Sequence, residues 1–252
     1  MDIMMGMGTM KKMIRNQHNV DDTPMLNIDL HSHLIPALDD GAKDMDESLK
    51  LLKALEEAGY YKLITTPHIM MDSYRNTRQT IMKGLATLQI MAKQAGLRIE
   101  IEAAAEYYLD DEFIAHIEKG KLLTLSNKYV LFETSYMAKP LDFESMIEKL
   151  LSTGYTPLLA HPERYRYIED FELEYKALKK LGIYFQVNIN SFGGHYGKDA
   201  QDKAIFLSQN SMIDFLGSDV HHLKQVKTLV AIKETQVYKD IFKKNLILNN
   251  LL

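Results

Sequence analysis

The alternation of short apolar runs with amphipathic stretches, renewed seven times from Met25 onward, constrains the fold more than any other feature of this chain. The strand-length runs are Leu26–Leu30, Lys62–Thr66, Arg98–Ala103, Tyr129–Glu133, Pro157–Ala160, Tyr184–Asn188 and Ile213–Gly217. Helical periodicity occupies Asp46–Ala58, Thr77–Ala95, Asp142–Ser152, Phe171–Leu181 and Asp199–Gln209. Gly59, Gly96, Gly154 and Gly182 each stand just before a strand, where glycine supplies the left-handed residue that ends a helix. Alternation of this kind builds parallel β/α units. An α/β fold is therefore predicted, a β/α barrel one unit short of the common (β/α)8 form, ahead of a doubly wound open sheet. No linker divides the chain, so residues 25–252 are predicted to form a single domain. Residues 1–24 read as a poorly ordered or loosely docked extension. Its acidic residue comes first and Lys11, Lys12 and Arg15 follow the apolar stretch, the reverse of a secretory signal.

Composition removes several classes of function. A net charge of -4 and a pI near 6.1 give no electrostatic footprint for nucleic acid or an anionic membrane. No apolar run approaches the roughly 18 residues of a membrane span, and a cytoplasmic location is expected. Cysteine is absent, which excludes disulfides, thiolate metal sites and a cysteine nucleophile.

In β/α barrels the reactive groups sit where strands end and loops to the next helix begin. The first strand ends in IDLHSH, with His31 and His33, and its loop carries Asp39 and Asp40. The second gives TTPH, with His68; the third AAAEYY, with Glu106; the fourth LFETS, with Glu133. The fifth gives AHPERY, with His161, Glu163 and Arg164, and the seventh GSDVHH, with Asp219, His221 and His222. The sixth, ending in NINSFGG, supplies no strong ligand. Any one of these has a bland reading as a hydrogen-bonded histidine, an N-cap or a surface acid. Their joint placement on strand ends does not.

His31 and His33 are two residues apart, so on an extended strand both rings face one side and can chelate one ion. Imidazole plus carboxylate without thiolate suits manganese, iron or zinc, and so many donors imply two or three ions. His221 shares a face with Asp219, whereas His222 points the other way. His18 and His116 read as structural or solvated, and His195 as a weaker candidate near the substrate. Arg164, beyond His161, can clamp two phosphate oxygens; its bland alternative is a surface pair with Glu163 or Glu169. The Gly193-Gly194 turn is a weak anion-binding signal, and no Walker-type or Rossmann-type glycine pattern is present.

The motifs DLHSHLIPALDDG, TTPH, AEYY, FETS, AHPERY and GSDVH, in this order, resemble the polymerase and histidinol phosphatase (PHP) superfamily. The closest branch is the bacterial manganese-dependent protein tyrosine phosphatases of capsular and exopolysaccharide operons. The resemblance spans about Leu26 to Lys227 and implies a distorted seven-stranded (β/α)7 barrel with a trinuclear centre. It implies a first metal on His31, His33, Glu106 and Asp219. A second metal is shared by Glu106, Glu133 and His161, and a third lies among Asp40, His68 and His221. Arg164 matches the phosphate-binding arginine of HxERY. A second arginine, expected after Asp-x-His, is replaced by HHLKQVK, leaving Lys224 or Lys227 as point charges. In the loop after His68, Arg75 or Tyr74 is left to line the pocket.

The function implied is phosphomonoester hydrolysis by a water activated on the ions, with manganese foremost and iron or zinc compatible. Arg164, Asp219 and His221 are the catalytic candidates, the last two as proton donors. The implied substrate is phosphotyrosine in the tail of a partner tyrosine kinase that controls polysaccharide export. Histidinol-phosphate hydrolysis is the alternative of the same class. Amidohydrolases also open with H-x-H, but place a modified lysine where this chain has Glu133. A non-catalytic metal-binding barrel would have lost ligands, and here every expected position is filled.

Overall fold

All seven apolar runs form strands, and two of them are followed at once by a further short strand. A computed structural model describes residues 26–120 and 122–252; the expected extension over 1–24, with His18, lies outside the described residues. The strands are β1 (Ile28–Asp29), β2 (Lys62–Thr65), β3 (His68–Ile69), β4 (Glu100–Ala103), β5 (Glu106–Tyr108), β6 (Tyr129–Glu133), β7 (Thr156–Ala160), β8 (Tyr184–Asn188) and β9 (Phe215–Gly217). Past the second run β3 follows β2 across Thr66-Pro67, and past the third β5 follows β4, both beyond the runs read from the sequence. Proline has no N–H to continue a ladder. Thr66 N turns to Ser32 O at 2.7 Å, and Glu106 N donates to Pro67 O at 3.2 Å, so the neighbouring strand inherits the break.

Hydrogen bonding therefore defines two parallel sheets, β1-β2-β4 and β3-β5-β6-β7-β8-β9. Strands follow one another in chain order, without the reversal of a doubly wound sheet. The first and last strands approach each other: Ser32 and Val220 form a parallel bridge, and Asp219 N donates to His31 O at 2.8 Å. Side chains stitch the remainder of this seam. Ser218 donates twice to the Asp29 carboxylate, and Asn249 Nδ2 donates to both Ile28 O and Leu216 O. The architecture is mixed α/β and barrel-type.

The described helices are α1 (Met45–Glu57), α2 (Arg78–Gln94), α3 (Asp111–Lys119), α4 (Phe143–Ser152), α5 (Phe171–Lys180), α6 (Lys198–Gln209), α7 (Leu223–Lys233) and α8 (Gln236–Lys244). Asp44, Thr77, Asp110 and Asp170 cap α1, α2, α3 and α5 with side-chain oxygens. Strand residues are buried on both faces, as a helix-covered parallel sheet requires. Ile28, Leu30, Ile64, Leu131, Leu158 and Phe215 fill the inside, while a larger apolar layer joins strands to helices. Among the described residues no helix is long and apolar enough to cross a membrane.

Candidate metal centre

Nine side chains singled out from the sequence converge at the C-terminal ends of the strands. Four groups of potential ligands have donor atoms within 4.8 Å of one another: His33 with Asp40, His68 and His221; His31 with Glu106 and His161; His31 with His33 and Asp219; and His68 with Glu106 and Glu133. Glu106 is the hub. Its Oε2 lies 3.1 Å from His31 Nε2, 3.4 Å from His33 Nε2 and 3.2 Å from His68 Nδ1, and its Oε1 lies 3.1 Å from His161 Nε2. Asp219 Oδ1 is 3.6 Å from His31 Nε2, His33 Nε2 and His221 Nδ1 alike. Asp40, half-exposed at the mouth, stands 3.5 Å from His68 and 3.4 Å from His221. The grouping is more interleaved than the sequence implied, because His68 joins Glu133 and Glu106 as well as Asp40 and His221.

Local backbone geometry aims these groups. His161 and Asp219 both take positive φ, 33° and 49°, where a residue other than glycine is uncommon. Strained residues of this kind persist where the surroundings over-determine them, and here each turns a side chain inward as its strand ends. Gly41 is required for a different reason: a Cβ there would lie 2.2 Å from His33 O, so the DDG loop closes directly over the ligand.

The charges are those of a cation site. Burial opposes protonation of His31, but the Glu106 and Asp219 carboxylates outweigh it and raise the imidazole above its ordinary range. His33 is raised likewise, against burial, by Asp39, and His68 is pushed up to about 10, against burial, by Glu106. Burial alone would raise Glu106 and Asp219, yet His31 and its neighbours hold both well below the usual carboxylate range. His68 Nδ1 is buried, 3.2 Å from Glu106 Oε2 and from Glu133 Oε1, and in hydrogen-bonding geometry with neither. Three donor atoms converging without hydrogen bonding one another fit a shared cation. Histidine and carboxylate donors without sulfur fit a divalent ion of the manganese, iron or zinc kind.

Arg164 lies beside this cluster, its guanidinium held between the Tyr136 and Tyr196 rings at 4.7 and 4.3 Å. It pairs with Asp219 Oδ2 at 3.0 Å and not with Glu163 or Glu169. Glu163 is buried and receives Asn188 N and Ser191 Oγ instead. His195 is exposed on the loop before α6, and burial together with the Lys224 and Arg164 charges lowers its imidazole. After His68, it is Tyr74 that stacks on the imidazole, at 5.3 Å, while Arg75 Nε is engaged with Met71 O. Gly194 N is engaged with Ser191 O, which accounts for part of the Gly-Gly turn. His222 is exposed and turned toward Glu47, and His116 packs near Tyr107, as expected.

Sequence reasoning missed a supporting layer. Asp39 Oδ2 receives both His33 Nδ1–H at 2.8 Å and the His68 backbone N–H at 3.2 Å, so it orients ligands where its neighbour Asp40 faces the mouth. Tyr196 and β8 residues Gln186 and Asn188 also touch the ligands. Their residue types carry no ligand signature; only the even spacing of Gln186 and Asn188 on one strand hinted at a shared inward face.

Comparison with known proteins gives one consistent set of similarities. The family model for capsular polysaccharide synthesis, CpsB/CapC, matches residues 27–246. Tyrosine-protein phosphatase YwqE of Bacillus subtilis (strain 168) is 31% identical over 199 residues, covering 78% of each chain. Tyrosine-protein phosphatase CpsB of Streptococcus agalactiae serotype V is 27% identical over 203 residues, 78% of this chain and 83% of that one. Among solved structures, one from work on YwqE of Bacillus subtilis and CpsB of Streptococcus pneumoniae, described as metal-dependent tyrosine phosphatases, superposes with a TM-score of 0.75. It is 26% identical and covers 87% of this chain and 96% of that one.

Proposed function

The chain belongs to the capsular polysaccharide synthesis family CpsB/CapC, and from that premise we propose that it is a metal-dependent phosphatase acting on phosphotyrosine in a protein. The observation that carries this reading is the convergence of five histidines and four carboxylates beside a guanidinium fixed by two tyrosine rings. We assign three ions, with manganese foremost and iron or zinc compatible. His31, His33, Glu106 and Asp219 would hold the first, Glu106, Glu133 and His161 the second, and Asp40, His68 and His221 the third. Divalent cations held there would supply Lewis acidity, acidifying water and drawing charge from phosphoryl oxygens.

The remaining chemistry belongs to the side chains. Arg164 presents donors to the phosphoryl group and balances the charge that grows on its equatorial oxygens. Tyr136 and Tyr196 hold the guanidinium flat, so little ordering is left to the moment of reaction. Asp219 Oδ2 already accepts from Arg164, Asn188 and Tyr196, so this residue serves by position more than as an acid. His221 is more exposed than Asp219 and, with Asp40, reaches the mouth where a leaving oxygen departs. A tyrosine leaving group, with a pKa of about 10, needs little protonation. The substrate we favour is phosphotyrosine in the tail of a tyrosine kinase controlling polysaccharide export, met in the cytoplasm by a single seven-unit barrel domain over residues 25–252.

Turnover of a phosphotyrosine peptide and of L-histidinol phosphate, each with manganese and with a chelator, tests the proposal. Manganese-dependent hydrolysis that favours the peptide is expected. Preference for histidinol phosphate would reassign the substrate, and no hydrolysis with any divalent metal would contradict the phosphatase reading.

A further inference from the structure

Strand β8 contributes to none of the four ligand groups, yet Gln186 and Asn188 on it are fully buried beside them. They form an unbroken chain between two ligands. His31 Nδ1 lies 2.6 Å from Gln186 Oε1, Gln186 Nε2 is 2.8 Å from Asn188 Oδ1, and Asn188 Nδ2 is 2.7 Å from Asp219 Oδ2.

The direction of every bond follows from the far end. Asp219 Oδ2 also receives Arg164 Nη1 at 3.0 Å, and a guanidinium can only donate, so Oδ2 is an acceptor. Asn188 must then present its amino group to Asp219 and its carbonyl to Gln186. Gln186 in turn presents its amino group to Asn188 and its carbonyl to His31, which places a hydrogen on Nδ1. A neutral His31 therefore carries its lone pair on Nε2, the atom facing Glu106 and Asp219. At the other end, Oδ2 of Asp219 is occupied by Asn188, Arg164 and the Tyr196 hydroxyl at 3.3 Å, leaving Oδ1 to face the histidines.

We propose that Gln186 and Asn188 are positioning residues that preset two ligands at once: the Nε2 lone pair of His31 and the single free oxygen of Asp219. This rests on the metal-centre reading above. The surroundings are built for the relay. A Cβ at Gly217 would lie 2.4 Å from Gln186 Nε2, so only glycine leaves the amide its place on β9. Glu163 Oε1 accepts from Asn188 N at 2.9 Å and from Ser191 Oγ at 2.6 Å, fixing the strand end from behind.

The test is calorimetric titration of the metal-stripped full chain with Mn2+, alongside its thermal midpoint without metal. Gln186→Leu keeps the bulk but cannot accept from Nδ1–H, and should weaken Mn2+ binding roughly 10–100-fold, the usual effect of removing a ligand's orienting partner. Gln186→Glu accepts again from Nδ1–H but cannot donate to Asn188 Oδ1, and should recover part of the lost affinity. Should the leucine variant fail to fold, Asn188→Ala, which removes the shortest of three donors to Asp219 Oδ2 and leaves the Gln186 bond to His31, carries the same expectation of weaker binding. Wild-type affinity in the leucine or alanine variant, or a glutamate variant as weak as leucine, overturns the relay. A wild-type chain that binds no Mn2+ overturns the metal-centre reading and the relay with it.

Discussion

Glu106 and Arg164 differ in surroundings, and the proposal gives them different work. Glu106 is fully buried and surrounded by histidine nitrogens, the setting proposed for holding cations. Arg164 is partly exposed and pairs with the cluster through Asp219, the setting proposed for meeting the substrate. Arg164→Ala should accordingly leave Mn2+ content near wild type at saturating metal, with Asn188 still holding Asp219 Oδ2, while lowering kcat about 10²–10³-fold, the loss typical of one transition-state donor. Metal analysis and p-nitrophenyl phosphate kinetics on the same sample check this. Equal loss of metal and rate would instead make Arg164 a support of the ligand shell. The residues proposed for both roles were legible in the sequence because histidine, carboxylate and arginine at strand ends announce themselves. Gln186, Asn188 and Tyr196 were not, since an amide or a phenol gains its role only from the partner that folding brings to it.

Among the elements, the seam between β1 and β9 is the least conventional, because side chains replace much of the ladder. Asp29, wholly buried, accepts Ser218 N and Ser218 Oγ. Burial pushes its carboxyl from the usual 3.8 up to about 6 despite those hydrogen bonds. The folded chain thus binds this proton more tightly than the unfolded one. Its contribution is fully present below about pH 4 and is lost as pH rises through about 6, by an amount on the order of 3 kcal/mol. Asp29→Asn, which cannot ionise and still accepts Ser218 N, should flatten that segment of the stability profile, measured by urea midpoints from pH 4 to 8; an unchanged slope would show that Asp29 does not titrate there. The strands themselves were readable as apolar runs, and the break at Pro67 was implicit in TTPH. Helices α3, α7 and α8 were not delimited from periodicity. The first and last have nine residues each, and α7 mixes β-branched Val226, Thr228 and Val230 into its length, which weakens a helical signature.

For the whole molecule, a barrel-type arrangement gathers strand ends on one rim, so potential ligands far apart in sequence come within reach of one another. The alternation of strands and helices was legible as a pattern, while the order of strands and the approach of the first to the last depend on contacts such as Ser32 with Val220 that no local sequence window contains. The central claim is that this rim binds metal and that the bound metal enables phosphomonoester hydrolysis. Its most direct test strips the chain with a chelator and returns Mn2+ in steps, recording bound metal and p-nitrophenyl phosphate turnover together. Turnover should fall to background on stripping and recover in proportion to the metal bound. Undiminished turnover in the stripped chain, or full Mn2+ occupancy without turnover, would contradict the account.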